Sequence, residues 1–260
     1  MSISKDTRGT PITDASGLAI SRQEITGYSP FFVVCARDDL GATTTGEDIW
    51  NGGAHTPVPP SAGERMSFKS SNVGDAAAGA GVRTARIEYL DENGLEQTED
   101  ITLAGSATAV TSGTMSFIND FYALTVGTSG TAIGNITIFS TDSVGLIYNR
   151  IDASGNKSLN SQRKVPSNKT MFITWVDASE SNNKETTVRL RANCAPSGMV
   201  VGSLDTFLFK KNVLLKQQNA GFVISPPIPV CAGGLVKMTG WAVGASGQVA
   251  GNYQGYLVTD

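Results

Sequence analysis

Apolar and polar residues alternate with a period of two along much of this chain, which is the pattern of β-strands that bury one face. The clearest example is residues 82–105, where two alternating runs flank the sequence Asp-Glu-Asn-Gly at 91–94. The apolar positions of these runs are Ala85, Ile87, Tyr89, Leu95, Ile101 and Leu103. An Asn-Gly step between two such runs predicts a β-hairpin with one face on a core and the other toward water or a partner.

Other segments show the same period, or are short apolar runs bounded by glycine, proline and polar residues. We predict strands at residues 29–37, 114–127, 135–140, 170–176, 186–192, 221–230, 234–243 and 252–260. Met171, Ile173 and Trp175 are expected on one face of their strand, and residues 205–218 fit either a strand or a helical turn. Roughly eight to twelve strands at turn-rich spacing predict an all-β fold, a β-sandwich or jelly-roll-like body with an extended N-terminal arm and long loops.

The chain divides by composition into three predicted parts. Residues 1–27 carry few large apolar side chains and are interpreted as an extended N-terminal arm. Residues 28–80 contain a strand and a long Gly/Pro-rich loop, in which Trp50 is expected to pack into the body as an anchor. Residues 81–260 hold the remaining strands and form the predicted β-sandwich body.

Composition and charge narrow the function classes. Charged residues make up 17% of the chain, and the net charge is −3. This balance disfavours nucleic acid and anionic membranes as partners. The apolar runs are too short to span a bilayer, and the polar N-terminus has no apolar segment of a secretory signal. We therefore expect synthesis and folding in a cytoplasm.

The three cysteines do not form a recognisable motif. Cys35, Cys194 and Cys231 are odd in number and widely spaced, so neither a disulfide framework nor a Cys-x-x-Cys metal pair is expected. Buried, reduced thiols are the predicted state.

Candidate chemistry is sparse, and each candidate has a structural interpretation. The one histidine, His55, lies in a proline-rich loop and cannot by itself form a His-based triad or a two-histidine metal site. The glycine-rich segment 74–83 precedes a strand and lacks the G-x-G-x-x-G register of a phosphate loop. The Asp-Glu-Asn-Gly sequence lacks EF-hand spacing and fits a hairpin turn. We therefore predict no catalytic, cofactor-binding or metal-binding residues and no cofactor.

Two sets of charged residues are also expected to be structural. Acidic pairs occur at Asp38-Asp39 and Glu47-Asp48, in or beside the long loop. Three states are open for them: flanking a metal, pairing with a neighbouring subunit, or staying solvated. We favour the solvated state. The basic residues near the loop after residue 152 are interpreted as a solvated patch and are Lys157, Arg163, Lys164 and Lys169.

Several segments together resemble a family of virion structural proteins of tailed bacteriophages. The resemblance covers about residues 45–260. Its motifs in the first half are Asp48-Ile49-Trp50 with Gly52-Gly53, the glycine-rich entry into the hairpin at 78–83 and the strand end Leu103-Ala104-Gly105. Those in the second half are the Gly-Asn-Ile-Thr-Ile strand at 134–138, the Val-Pro-x-x-Lys segment at 165–169 and the aromatic-Gly-Tyr-Leu strand at 253–257. The family carries no catalytic residues to transfer to this chain.

The resemblance implies a bacteriophage structural protein located in the virion and assembled in the host bacterial cytoplasm. Our first choice is an outer capsid decoration or cement protein that stabilises the head, and a collar, tail or fibre-base position is the alternative. Its expected partners are other virion proteins, the major capsid protein or neighbouring tail and collar proteins, and further copies of itself in a homo-oligomer for which a trimer is favoured. Nucleic acid, membrane and enzymatic activity are not expected.

Two other function classes stay open. A receptor- or glycan-binding β-sandwich module would use exposed aromatic side chains, for which Trp241, Tyr253 and Tyr256 are candidates. A β-sandwich hydrolase would need two acidic residues that converge in a cleft, and no segment of the sequence marks such a pair.

Overall fold

The computed structural model describes residues 16–22, 24–42, 46–142, 145–193, 208–216, 218–244 and 246–260. These residues form sixteen strands and one short helix, α1 (Ser16–Ser21). The strands are β1 (Tyr28–Leu40), β2 (Glu47–Asp48), β3 (Glu64–Ser70), β4 (Val82–Leu90), β5 (Glu96–Thr102), β6 (Ala109–Met115), β7 (Phe117–Val126), β8 (Ile136–Ser140), β9 (Ile147–Ile151), β10 (Arg163–Lys164), β11 (Lys169–Glu180), β12 (Thr186–Asn193), β13 (Leu208–Leu215), β14 (Asn219–Val230), β15 (Leu235–Ala242) and β16 (Gly247–Thr259). The predicted all-β class is confirmed.

Two sheets are built from the outer parts of the chain. Sheet A has the strand order β1-β16-β11-β14, and sheet B has the order β10-β15-β12-β13, with β2 also paired to β15. One buried cluster takes residues from both sheets, among them Val33, Ile173 and Tyr253 from sheet A and Val188 and Met238 from sheet B. Sheets A and B with this cluster are called the first sandwich below.

The middle of the chain forms two further sheets around a separate cluster. Sheet C has the order β6-β3-β8-β9, and sheet D has the order β5-β4-β7. The buried residues between them all come from positions 66–151, and Phe121, Ile87 and Ile138 are among the fully buried ones. Sheets C and D with this cluster are called the second sandwich. All four sheets are antiparallel, and their strand orders are not specifically those of a jelly roll.

The second sandwich is inserted into the first, between β2 and β10. The two segments that connect the sandwiches lie side by side. The Thr56 hydroxyl is 3.5 Å from Asn160 Oδ1, and the Gln162 side-chain amide is 3.4 Å from the Thr56 carbonyl. A small cluster of Leu90, Phe117 and Leu235 joins the two sandwiches. The predicted division of the chain at residues 27 and 80 stays a prediction. The buried clusters divide the chain differently, into a first sandwich and a second sandwich inserted into it.

The predicted hairpin at residues 82–105 is confirmed. It is β4 and β5, with Ala85 opposite Ile101 and Tyr89 opposite Gln97. Asp91 shapes the turn because its Oδ1 accepts hydrogen bonds from the backbone N–H groups of Asn93 and Leu95. Residues 114–127 are strand, as favoured, and the ambiguous segment contains strand β13.

One prediction about side-chain facing is wrong. The pairing of β11 with both of its neighbours shifts register between Ile173 and Trp175. Against β16, Thr174 is an extra residue, a β-bulge, whereas against β14 the extra residues lie in β14, between Val223 and Ile228. Met171 and Ile173 are fully buried, and the next core residue is Val176 rather than Trp175. The bulge moves Trp175 to the opposite face, because an inserted residue changes the alternation by one position.

The arm and the cysteines differ in part from expectation. Residues 1–15 of the predicted arm lie outside the described residues, and the remainder includes helix α1 and the buried side chains of Ile20 and Ile25. Cys35 is a buried free thiol, as predicted. The prediction of a reduced thiol is wrong for Cys231, which is disulfide-bonded, because wide spacing in sequence does not limit contact in the fold. Cys194 lies outside the described residues.

Candidate functional site

The outer face of sheet A carries aromatic side chains where a solvated sheet face would carry polar ones. In β1 the buried residues Phe31 and Val33 alternate with outward-facing Tyr28, Pro30 and Phe32. Phe32 is 49% exposed, although it is one of the largest apolar side chains in the chain. Strands with apolar residues on both faces are typical of sheets that are covered on both sides.

The neighbouring strands continue this surface by direct pairing. Pro30 of β1 lies opposite Tyr256 of β16, which in turn lies opposite Phe172 of β11. The rings of Phe172 and Tyr256 stack with centroids 5.3 Å apart and an interplanar angle of 23°, and Tyr28 lies 5.7 Å from Tyr256. Partial burial raises the pKa of Tyr256, and the neighbouring Tyr28 adds to this effect.

The bulge at Thr174 adds the indole of Trp175 to the same face. Trp175 lies opposite Gln254 on one side and Val223 on the other, and Val223 is 74% exposed. The indole lies over Gly221 of β14, where a Cβ atom would be 2.6 Å from the ring. Glycine at this position therefore lets the indole lie flat on the sheet. The aromatic face is the name used below for Tyr28, Phe32, Phe172, Trp175 and Tyr256.

A groove of about 800 Å³ runs along this face. Its walls include Ile20 of helix α1, Pro30 and Phe32 of β1, Val223 of β14 and Tyr256 of β16. A patch of apolar side chains shaped into a groove is the usual mark of a surface that binds another molecule.

The aromatic residues predicted from the sequence lie in three different places. Tyr256 belongs to the aromatic face, but Tyr253 is fully buried and donates its hydroxyl to the Ser161 carbonyl at 2.9 Å. Trp241 lies in sheet B, with the Arg189 guanidinium 4.1 Å from its ring centroid. Three residues of the aromatic face were not predicted as exposed aromatics: Phe32, Phe172 and Trp175. For Phe32 and Phe172, the sequence does show apolar residues at adjacent positions of a predicted strand, which indicates apolar side chains on both faces.

The two acidic pairs differ: Asp38 and Asp39 in β1 are exposed, as favoured, whereas Glu47 and Asp48 are not solvated. Asp48 is fully buried, with Oδ1 2.8 Å from Lys237 Nζ and with Oδ2 accepting the Thr56 backbone N–H at 2.8 Å. Glu47 lies 2.7 Å from the buried guanidinium of Arg37. Burial replaced solvation because Glu47 and Asp48 form β2 and pair with β15, and the cation beside Asp48, Lys237, comes from a distant part of the chain.

The basic residues do not form a solvated patch, because two of them form ion pairs and the other two are buried or half-buried. Lys157 forms an ion pair with Asp120, and Lys169 Nζ lies 2.5 Å from Glu96 Oε2. Arg163 is buried, and burial lowers the pKa of Lys164. Contact with the second sandwich explains the difference, because Asn119 of β7 bonds the backbone of Lys164 and Tyr122 of β7 forms an isolated β-bridge with Lys157.

The glycine-rich segment 74–83 is built around an internal carboxylate. Asp75 is fully buried and accepts four hydrogen bonds, from the Ser70 hydroxyl and from the backbone N–H groups of Val82, Ile133 and Gly134, at 2.6–3.0 Å. These N–H groups are the kind that would cradle a phosphate, and Asp75 already occupies them. His55 is exposed in its loop. Within the described residues, no group of three or more His, Cys, Asp and Glu side chains is arranged to hold a metal ion.

No helix in the described part of the chain is long and apolar enough to cross a membrane. No family model matches the chain, and no curated protein matches it. A solved structure with some similarity is titled "Structure of infectious bursal disease virus Gt strain", with 8% sequence identity, a TM-score of 0.20 and coverage of 90% of this chain and 73% of that one. A likeness at this level carries no argument about fold or function.

Proposed function

We propose that this chain is a structural component of a tailed bacteriophage particle and that it binds its neighbours through the aromatic face. The single observation that supports the proposal is the concentration of half-buried and exposed aromatic side chains on one face of sheet A, beside Val223 at 74% exposure. Large apolar side chains at this density on a surface are energetically unfavourable in water and become favourable once a partner covers them.

In this proposal the protein is an outer decoration or cement protein of the head and has no enzymatic activity. Its partners are the major capsid protein and further copies of itself, in a trimer that matches a local symmetry axis. The resemblance of the motifs between residues 45 and 260 to virion structural proteins supports the location. A collar, tail or fibre-base position uses the same surface and differs only in the partner.

The first experiment measures the mass of the purified protein by light scattering, alone and with expanded empty heads of the phage that encodes it. We expect an oligomer that co-sediments with heads at one copy per capsid subunit or per local symmetry site. A monodisperse monomer that ignores heads contradicts the decoration role. A stable oligomer that ignores heads moves the proposal to the collar, tail or fibre base.

A matched pair of variants assigns the binding to the aromatic face. Val223→Glu places a charge beside Trp175, whereas Val73→Glu places the same charge at an equally exposed valine of the second sandwich, with exposures of 74% and 75%. We expect Val223→Glu to abolish assembly or head binding and Val73→Glu to leave both unchanged. Equal behaviour of the two variants would reject the aromatic face as the contact surface.

A glycan-binding module is the second candidate, and the stacked pair of Phe172 and Tyr256 favours it. Half-buried rings with centroids 5.3 Å apart offer an apolar surface for the apolar face of a sugar. A glycan array probed with the purified protein tests this function. Binding that Val223→Glu removes would support it, and silence across the array would reject it.

A further inference from the structure

A second concave surface lies at the junction of the two sandwiches. It is a cleft of about 400 Å³, lined from the first sandwich by Pro30, Arg163, Lys169 and Leu257, and from the second by residues that include Glu88 and Glu96. None of the five residues of the aromatic face lines the cleft, and Pro30 is shared between the cleft and the groove. The volume of the cleft is within the usual range for small-molecule sites.

Arg163 is the unusual residue of this cleft. It is only 7% exposed, and its Nε atom is buried without a hydrogen-bond partner among the residues that the structure describes. The ring of Phe31 covers one side of the guanidinium, with its centroid 5.6 Å away. A guanidinium has five N–H donors, and buried donors of this kind are nearly always paired.

The nearest carboxylate does not satisfy the Arg163 guanidinium. Glu96 Oε1 lies 3.8 Å from Arg163 Nη2, which is beyond hydrogen-bonding distance, while Glu96 Oε2 lies 2.5 Å from Lys169 Nζ. Glu96 is therefore held mainly by Lys169, at the exposed start of edge strand β5. The planar fork of Arg163 stays available for a carboxylate that approaches through the cleft.

The charges and shape of the cleft define the ligand that fits. A carboxylate matches the guanidinium fork with two parallel hydrogen bonds. Glu88 and Glu96 in the same walls disfavour a ligand with two negative charges. Pro30 and Leu257 offer apolar contact beside the charged end.

We propose that this cleft binds a monocarboxylate that carries a small apolar group, with Arg163 as its anchor and Glu96 as an internal competitor. The carboxylate belongs either to a small organic acid or to the C-terminus of a peptide, since both present the same chemistry.

Binding is tested with N-acetyl-leucine and its neutral amide, by calorimetric titration and by the unfolding temperature of the full chain. We expect saturable binding of the acid, a rise in unfolding temperature with its concentration, and no effect of the amide. No saturable binding up to about 10 mM, or equal binding of acid and amide, would overturn the proposal.

Three variants identify the anchor. Arg163→Gln is expected to weaken binding by at least about tenfold, because hydrogen bonds to a charged group are lost. Glu96→Gln is expected to strengthen binding, which keeps the test valid if Arg163→Gln does not fold. Arg150→Gln is the control, because Arg150 pairs with Asp152 away from the cleft. Unchanged affinity in both Arg163→Gln and Glu96→Gln would refute the assignment.

A third probe distinguishes the two sources of the carboxylate. An acetylated tripeptide that ends in leucine with a free carboxylate is titrated beside N-acetyl-leucine. Tighter binding of the tripeptide supports a peptide C-terminus, because additional residues then contact the cleft. Equal or weaker binding supports a small organic acid at the same anchor.

Discussion

The carboxylate of Asp75 connects residues close to it in sequence with Ile133 and Gly134, which are distant in sequence. It accepts hydrogen bonds from Ser70, from Val82 and from the adjacent N–H groups of Ile133 and Gly134. Burial raises the pKa of this carboxyl, but the four hydrogen bonds outweigh burial and hold the pKa below its usual value of 3.8. The charged form is therefore the one that the fold stabilises.

The consequence is a dependence of stability on Asp75 and on pH. We expect Asp75→Asn to lower the free energy of unfolding by about 2–3 kcal/mol at pH 7, since an amide cannot accept all four bonds as a carboxylate does. Because the folded pKa is depressed, the contribution of Asp75 is present above about pH 4 and is lost as pH falls through the folded pKa. Urea unfolding of both proteins between pH 7 and pH 3 measures this.

The control for Asp75 is Asp100→Asn. Asp100 also has a lowered pKa, because its carboxylate accepts hydrogen bonds from Arg86, but it is exposed on β5. We expect a far smaller loss of stability, since surface ion pairs are screened by water. A pH profile of Asp75→Asn parallel to that of the natural chain would contradict the assigned role.

At the scale of elements, the bulge in β11 decides which side chains reach the aromatic face. Ile173 and Trp175 have consecutive partners, Gly255 and Gln254, on β16. Removing Thr174 therefore leaves a regular alternation in which Ile173 stays inside, Trp175 stays outside and Val176 stays inside. Against β16, the strands on both sides of the bulge are already in register. Against β14, the irregularity lies in β14 itself, where residues 224–227 separate the partners of Ile173 and Trp175.

Two deletions in β11 test this interpretation. We expect deletion of Thr174 to give a folded protein, with a loss of about 1 kcal/mol or less from the Thr174 hydroxyl bond to the Gln254 carbonyl. Deletion of Asp177 makes the buried residues Val176 and Ala178 neighbours, so that one must leave the core, and we expect loss of the fold. Soluble expression and urea unfolding separate the two outcomes, and equal damage from both deletions would refute the interpretation.

The same strand shows how far the sequence predicts the fold and the candidate site. The hairpin β4–β5 could be predicted because its alternation and its turn are local properties of residues 82–105. The facing of Trp175 could not, because a bulge depends on partners in β14 and β16. The burial of Asp48 could not either, since its partner Lys237 comes from another strand near the end of the chain.

At the scale of the whole molecule, the second sandwich is an insertion with its own core. Its buried cluster takes every member from positions 66–151, and its two connections to the first sandwich meet near Thr56 and Gln162. A segment with a complete core and adjacent ends can be separated from its host more readily than one whose strands are shared.

We therefore expect residues 57–161, expressed alone, to fold cooperatively. The fragment loses the contact of Leu90 and Phe117 with Leu235, so its stability is expected to be lower than in the full chain. A single sigmoidal urea transition, seen by both circular dichroism and tyrosine fluorescence, checks this prediction. A fragment without a cooperative transition would show that the second sandwich depends on the first.

The pairing of β1 with β16 also sets an order for synthesis on the ribosome. Sheet A cannot be completed, and β1 cannot pair, until β16 has emerged, although β1 emerges early. The second sandwich, in contrast, is complete once residue 158 has left the exit tunnel. During the interval, Phe31, Phe32 and Val33 of β1 remain without a partner strand, so the nascent chain exposes an aggregation-prone edge that depends on translation speed. Slow codons in the last hundred or so positions would therefore lengthen the time that this edge needs protection by chaperones.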